Sequence, residues 1–196
     1  MNISNEDLQN ELKVGKKKSA KPMLWVSMIS MVMFFAGLTS AYVISMKRDD
    51  WVTFDLPDAF YISTVLIILS SITIFISQKL IKKDKRELSI AFLLITLALG
   101  IAFVWFQWSG FNELKSAGLF FTGPTSTVST SFIIGITLMH VIHIFAGIIV
   151  LLVVIYNHFK YQYKADDLLG FELGAIFWHF VDVLWIYLFF FFYFIR

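Results

Sequence analysis

The segment AIFWHFVDVLWIYLFFFFYFI, from Ala175 to Ile195, decides the fold class of this 196-residue chain. It is almost entirely apolar, and its length matches the roughly 20 residues that a helix needs to cross a hydrocarbon core of about 30 Å. We therefore predict a transmembrane helix here. Its middle contains His179 and Asp182, and an ionisable group at that depth costs free energy unless a partner stabilises it.

Four other segments share this length and apolar character. Hydrophobic residues make up 58% of the chain and charged residues 15%, which is typical of an integral membrane protein. Because membrane segments must satisfy their own backbone hydrogen bonds, and no alternating barrel pattern is present, all of them are predicted to be helices. The sequence thus predicts an all-α bundle of five transmembrane helices, with a polar, basic tail at residues 1–21 and a membrane domain at residues 22–196. The predicted spans are 23–46, 59–81, 88–108, 129–156 and 174–195.

Positive charge predicts the orientation of the bundle. Of the 16 Lys and Arg residues, twelve lie in the tail, the second loop and the fourth loop, including Lys160 and Lys164, and four, including Arg196, lie on the other side. The positive-inside rule then places the N-terminus in the cytoplasm and the C-terminus outside. We interpret the basic tail as a topology determinant near anionic lipid, and we predict no nucleic-acid partner.

Composition and motifs exclude several classes of site. The chain has no Cys, which excludes disulfides and thiolate metal sites. No nucleotide-binding loop, nucleophile elbow, HExxH pair or EF-hand loop occurs, so we predict that the chain is not an enzyme by itself. The stretch FFTGPTSTVST before the fourth helix reads as a turn followed by hydroxyl residues suited to an N-cap.

Small residues predict which helix faces pack. In the first helix, Ser30, Gly37 and Ala41 are spaced seven and four apart, which places them on one face. Such a stripe lets another helix approach closely. In the fourth helix, Gly147 falls on the same face as His140, seven residues before it. We predict that both faces contact other helices.

Polar residues in the last two helices allow two interpretations. His140 and His143 lie at mid-depth in the fourth helix, and Glu172, His179 and Asp182 lie along the fifth. They can form interhelical hydrogen bonds, with Asp182 paired to His179, paired to a histidine of the fourth helix, or protonated; such a group could also relay protons. Alternatively, His140 or His143 could act with His179 in a self-contained haem- or quinone-binding membrane anchor.

Several segments, in order along the chain, resemble one family. FWHFVDVLWIYLF (177–189) is similar to the W/Y-W-H-F-V-D-V-x-W run of subunit III of the haem-copper oxidases. HVIHIFAG (140–147) resembles that family's H-G-L-H-V-x-x-G, and SMVMFFAGLTSAY (30–42) resembles its S-E-V-M-F-F-x-G-x-x-x-A-Y. STVLIILSSITI (63–74) and FVWFQWSGFNEL (103–114) match the two intervening segments more loosely. Five helices correspond to the short bacterial form of the family.

The resemblance implies a non-catalytic subunit of a terminal oxidase in the bacterial cytoplasmic membrane. Such a subunit packs on subunit I, contacts other oxidase subunits, binds phospholipids and protects a complex that reduces oxygen to water and pumps protons. It implies that haem and copper are held by partner subunits. On this interpretation the five polar residues named above bind no metal or cofactor and hold the fourth and fifth helices together, or reach toward lipid headgroups. Two family carboxylates are replaced, by Met31 and Gly110, so no role of those carboxylates is carried over.

Overall fold

The computed structural model describes residues 5–53, 55–123, 126–161, 163 and 168–195, without the side chains of residues 5–13 and 16. Within these residues the chain is all-helical, and its five long helices are apolar enough to cross a membrane, as predicted. They are α1 (Asn5–Ser45), α2 (Asp58–Lys82), α3 (Arg86–Ser116), α4 (Val128–Phe159) and α5 (Leu169–Phe194). Lys164 and Arg196, which entered the charge count, lie outside the described residues, as do the side chains of Lys13 and Lys16.

Two helices extend well beyond their predicted spans. α1 begins at Asn5 rather than near residue 23, so much of the polar tail is helical. α3 continues from Trp108 to Ser116 and ends before Gly118, whose φ of 80° is readily adopted by glycine. Hydropathy marks the part of a helix that suits lipid, whereas backbone hydrogen bonding continues into polar sequence. The predicted N-cap of α4 is confirmed, because Thr127 Oγ1 accepts a hydrogen bond from the Thr130 N–H at 3.3 Å.

The helices form a ring in the order α1, α5, α2, α3, α4, and α4 and α5 also touch across it. α2 and α3 are joined by a tight turn at Asp84, whose φ is 59°, and they pack along their lengths. Hydroxyl groups join them, since Ser77 Oγ donates to the Ser89 carbonyl at 2.8 Å and Ser89 Oγ donates to the Ser77 carbonyl at 3.0 Å. Among the described helices, α1 contacts only α4 and α5, which leaves it at the periphery.

Two tryptophans of α5 fill the space enclosed by α2, α3 and α4. Trp178 and Trp185 are seven residues apart and almost fully buried. A Cβ built on Gly100 of α3 would lie 2.7 Å from the Trp178 ring, and one on Gly147 of α4 would lie 3.3 Å from it. The two glycines therefore leave the space that the indole occupies. Each indole N–H donates to α2, from Trp178 to Ser70 Oγ at 3.1 Å and from Trp185 to Thr64 Oγ1 at 3.0 Å.

Candidate functional site

The carboxylate of Asp182 is buried between α5 and α2. Its side chain is 1% exposed. Oδ2 accepts a hydrogen bond from Ser71 Oγ at 2.5 Å. Ser70 Oγ lies 3.4 Å from Oδ2, but its single proton is donated to the Ile67 carbonyl at 2.8 Å. Oδ1 has no partner among the described residues. Hydroxyl donors offset part of the cost of removing a carboxylate from water. Asp182 is therefore held by α2, and not by a histidine of α4.

His179 joins the same group through Ser71. Its Nδ1 lies 3.0 Å from Ser71 Oγ. Because the single hydroxyl proton of Ser71 is donated to Asp182, the Ser71 oxygen accepts from Nδ1–H of His179. His179 and Asp182, one turn apart on α5, are thus linked through a side chain of α2. We call Ser70, Ser71, Trp178, His179 and Asp182 the α2–α5 cluster.

His140 has a different environment. It is fully buried and stacks on Trp185, with ring centroids 5.3 Å apart and an interplanar angle of 30°. The edges of Phe35 and Phe103 complete its surroundings. Both ring nitrogens lack a hydrogen-bond partner among the described residues, as does the buried hydroxyl of Thr137 one turn before. His140 therefore contributes aromatic packing between α4 and α5.

His143, one turn after His140, is half-buried. Its Nδ1 lies 2.7 Å from the carbonyl oxygen of Met139. Its ring meets Phe35 of α1 at an angle of 63°, with centroids 5.5 Å apart. His143 is thus oriented by its own helix and by an aromatic side chain of α1.

Glu172 lies near the start of α5 and joins three helices by charge. Its Oε2 is 2.9 Å from Nζ of Lys21 on α1, and its Oε1 is 3.8 Å from Nζ of Lys82 on α2. The lysine side chains are 50% and 54% exposed, and that of Glu172 is 28% exposed. Water and salt screen such pairs. Through Glu172 of α5 they link α1 to α2, two helices that do not pack on each other within the described part of the chain.

Of the five predicted polar residues, only His179 and Asp182 share one environment, and the five do not form a single core between α4 and α5. His179 and Asp182 bind α2, Glu172 binds lysines of α1 and α2, and the α4 histidines contact aromatic rings and their own helix. Among the residues that the structure describes, no group of three or more His, Asp or Glu side chains could hold a metal ion.

The predicted packing residues also differ in whether they contact another helix. Gly147 lies against the Trp178 ring. Gly37 of α1 is exposed, and nothing would lie within 4 Å of a Cβ added to it; Ser30 is also exposed and bonds only its own helix, at the Val26 carbonyl. Ala41 is half-buried. The α1 stripe thus faces mainly away from the described bundle, and its contact with another helix stays a prediction.

Packing explains one of the two departures from the family pattern. A Cβ at Gly110 of α3 would lie 2.5 Å from Phe60 Cε1 of α2, so the position cannot accept a glutamate unless Phe60 moves. One turn earlier, Gln107 Nε2 donates to Ser63 Oγ at 2.9 Å. The other departure, Met31, is partly buried against the apolar core.

The sequence reasoning missed several residues on which these sites depend. Ser70, Ser71 and Thr64 looked like ordinary hydroxyl residues of an apolar helix. The available signal was the pair Trp178 and Trp185, because a buried indole N–H needs an acceptor, and α2 carries hydroxyl groups at suitable spacing. Arg86 was also missed, although its Nη2 donates to the His158 carbonyl at 2.7 Å and so joins α3 to the end of α4.

Comparison with known proteins gives one consistent family. The family model described as cytochrome c oxidase subunit III matches residues 8–196. Proteins named cytochrome c oxidase subunit 3 match at 35% identity over 133 residues in Rhipicephalus sanguineus, 32% over 136 in Pyricularia grisea and 30% over 131 in Hippopotamus amphibius. These matches cover 65%, 69% and 65% of this chain, and 48%, 47% and 47% of the respective relatives. The chain thus spans about half the length of the curated relatives it matches.

Proposed function

Because the chain belongs to the cytochrome c oxidase subunit III family, we propose that it is a non-catalytic subunit of a haem-copper terminal oxidase. The reaction of the complex is the reduction of oxygen to water coupled to proton pumping. Subunit I and other oxidase subunits are its partners, and they hold the haem and copper. The chain binds no redox cofactor itself and contributes to the durability of the complex.

The observation that carries this proposal is the set of hydrogen bonds made by polar residues of α5, in the segment 177–189 that resembles the family. Asp182 and His179 are bound by Ser71, and Trp178 donates to Ser70. These contacts join α5 to α2. Residues that looked like ligands or catalysts in the sequence thus have partners within the bundle, which supports a structural role.

Packing on subunit I and contact with phospholipid are the finer parts of the proposal. They are supported by the extent of apolar surface, notably on α1. Only 22% of the apolar stretch of that helix is buried within the bundle. Its exposed side chains include Val26, Ile29 and Met33. Lipid chains or apolar helices of other subunits suit this surface.

We place the chain in a bacterial cytoplasmic membrane with its N-terminus in the cytoplasm. Lys21, Lys82 and Arg86 lie at one end of the bundle, where Glu172 and the end of α4 also lie. This concentration of basic residues at one end supports a cytoplasmic location for it.

Affinity purification from the native membrane tests the proposal. A tag on the chain should recover a large haem-copper subunit under mild detergent. The oxidase prepared without the chain should start oxygen reduction at the normal rate and lose activity sooner during turnover. Recovery of the chain alone, or with partners that lack haem and copper, would show that the proposal is wrong.

A further inference from the structure

His143 presents a polar atom to the outside of the bundle at the depth of the membrane centre. It lies fifteen residues after Val128 and sixteen before Phe159, the ends of α4. At about 1.5 Å per residue, each end is roughly 22 Å away, farther than half of a 30 Å hydrocarbon core. The imidazole is nevertheless only half-buried.

The contacts of the ring determine what its outer nitrogen can do. The Met139 carbonyl can only accept, so Nδ1 carries the proton and donates to it over 2.7 Å. In the neutral imidazole Nε2 is then an acceptor. Phe35 contacts the ring edge to face and fixes its plane. No hydrogen bond to Nε2 is formed among the described residues, where the ring nitrogen that bonds is Nδ1. Nε2 is also absent from the buried polar atoms without a partner, so it is accessible at the surface of the bundle.

Residues around His143 leave room for another helix. Met139 and Ala146 lie on the same side of α4, within about 60° of His143, and both are exposed. The small side chain of Ala146 permits close approach of a second backbone. We call Met139, His143 and Ala146 the α4 outer face.

We propose that a transmembrane helix of a different subunit packs on the α4 outer face and donates an O–H or N–H hydrogen bond to Nε2 of His143. This inference rests on the proposed function, because it requires a membrane partner. Lipid chains carry no donor, and water is scarce at this depth. A second copy of the chain fits poorly, because a two-fold contact would place the same face opposite Nε2, and Met139 and Ala146 of that face have no side-chain hydrogen-bond donor.

Amide substitutions at His143 test the chemistry in the intact complex. Asn reproduces the reach of Nδ1, whereas Gln reproduces the reach of Nε2 and carries an acceptor there. His143→Gln should retain the chain in the complex during detergent washing. His143→Asn should raise its dissociation constant roughly 3- to 15-fold, which corresponds to one interhelical hydrogen bond. Equal retention of the two variants would overturn the hydrogen bond to Nε2.

Photo-cross-linking in native membranes tests the location. p-Benzoylphenylalanine replaces Met139 on the outer face or, as a control, Phe145, which is 51% exposed and turned about 120° from Met139. The probe at Met139 should link to another oxidase subunit, and the probe at Phe145 should link mainly to lipid. Linkage at Met139 to lipid alone or to a second copy would overturn the inference. If the cross-link to another subunit is not found but the tagged chain still recovers the haem-copper subunit, only this inference is wrong. If the tagged chain recovers no haem-copper subunit, the proposed function is wrong as well.

Discussion

Ser71 of α2 donates a hydrogen bond of 2.5 Å to Oδ2 of Asp182 on α5. This contact joins two membrane-spanning helices that are far apart in the sequence. The same hydroxyl accepts from His179, so one small side chain satisfies two polar groups of the family-like run. The α2–α5 cluster is thus a structural joint of the bundle.

Ser71→Ala removes this joint without creating a large cavity. We expect the free energy of unfolding of the chain to fall by about 0.6 to 1.7 kcal/mol, the range for interhelical hydrogen bonds in membrane proteins. Ser27→Ala is the control, because the exposed hydroxyl of Ser27 bonds only the Met23 carbonyl of its own helix. Unfolding followed by circular dichroism in increasing SDS fraction measures both. Equal stability of the two variants would show that the cluster does not join the helices.

Gly100→Ala should disturb the packing of Trp178. The added Cβ would lie 2.7 Å from the indole ring, which is enclosed by three other helices, and overpacking of this kind costs about 1 to 3 kcal/mol. Gly37→Ala places the same methyl group where nothing lies within 4 Å, so the unfolding of the chain should be unchanged or slightly improved. Thermal unfolding in detergent compares the two, and similar losses in both would contradict the role of Gly100.

Glu172→Gln should loosen α1 near Lys21. Both ion pairs of Glu172 are lost, and because their lysines are half exposed we expect a cost of only about 0.2 to 1 kcal/mol that shrinks as salt is added. Hydrogen exchange of α1 around Lys21, at low and high ionic strength, measures this. Arg48→Gln is the control, since Arg48 pairs with Asp50 in its own loop. Identical exchange in wild type and Glu172→Gln at low salt would argue against the positioning role.

Arg86→Lys should weaken the junction between α3 and the end of α4. The guanidinium donates to the His158 carbonyl at 2.7 Å and lies 4.1 Å from the ring centroid of Tyr161. A lysine ammonium cannot match both contacts. We expect several-fold faster proteolysis of the connection between α4 and α5 than in wild type. Lys83→Gln, at an exposed position nearby, should leave the rate unchanged, and equal rates in both variants would refute this role of Arg86.

Hydropathy predicted the number of helices and most of their extent, because an apolar segment of this length has few alternatives in lipid. It underestimated α1 and α3, since the additional turns near Asn5 and Ser116 are polar. The position of His179 and Asp182 in the middle of an apolar helix indicated interhelical hydrogen bonds, but the sequence of one helix cannot identify the helix opposite. That helix is α2, whose Ser71 supplies the contact.

The same limit explains the histidines of α4. Their position at mid-depth suggested cofactor ligands or interhelical hydrogen bonds, whereas His140 packs against Trp185 of α5. Only the arrangement of the helices reveals that this position is enclosed by aromatic rings. The resemblance of the sequence motifs identified the protein family, which helical spacing alone cannot do. The match of the family model over residues 8–196 confirms this identification.

The haem content of the chain distinguishes a structural subunit from a self-contained cytochrome that would use His140 or His143 with His179. The oxidase is purified through a tag on the chain, the chain is then released with stronger detergent, and reduced-minus-oxidised spectra are recorded for both fractions. We predict that all haem absorbance stays with the fraction that contains the large subunit and that the released chain has none. A stoichiometric haem band on the released chain would contradict the proposed function.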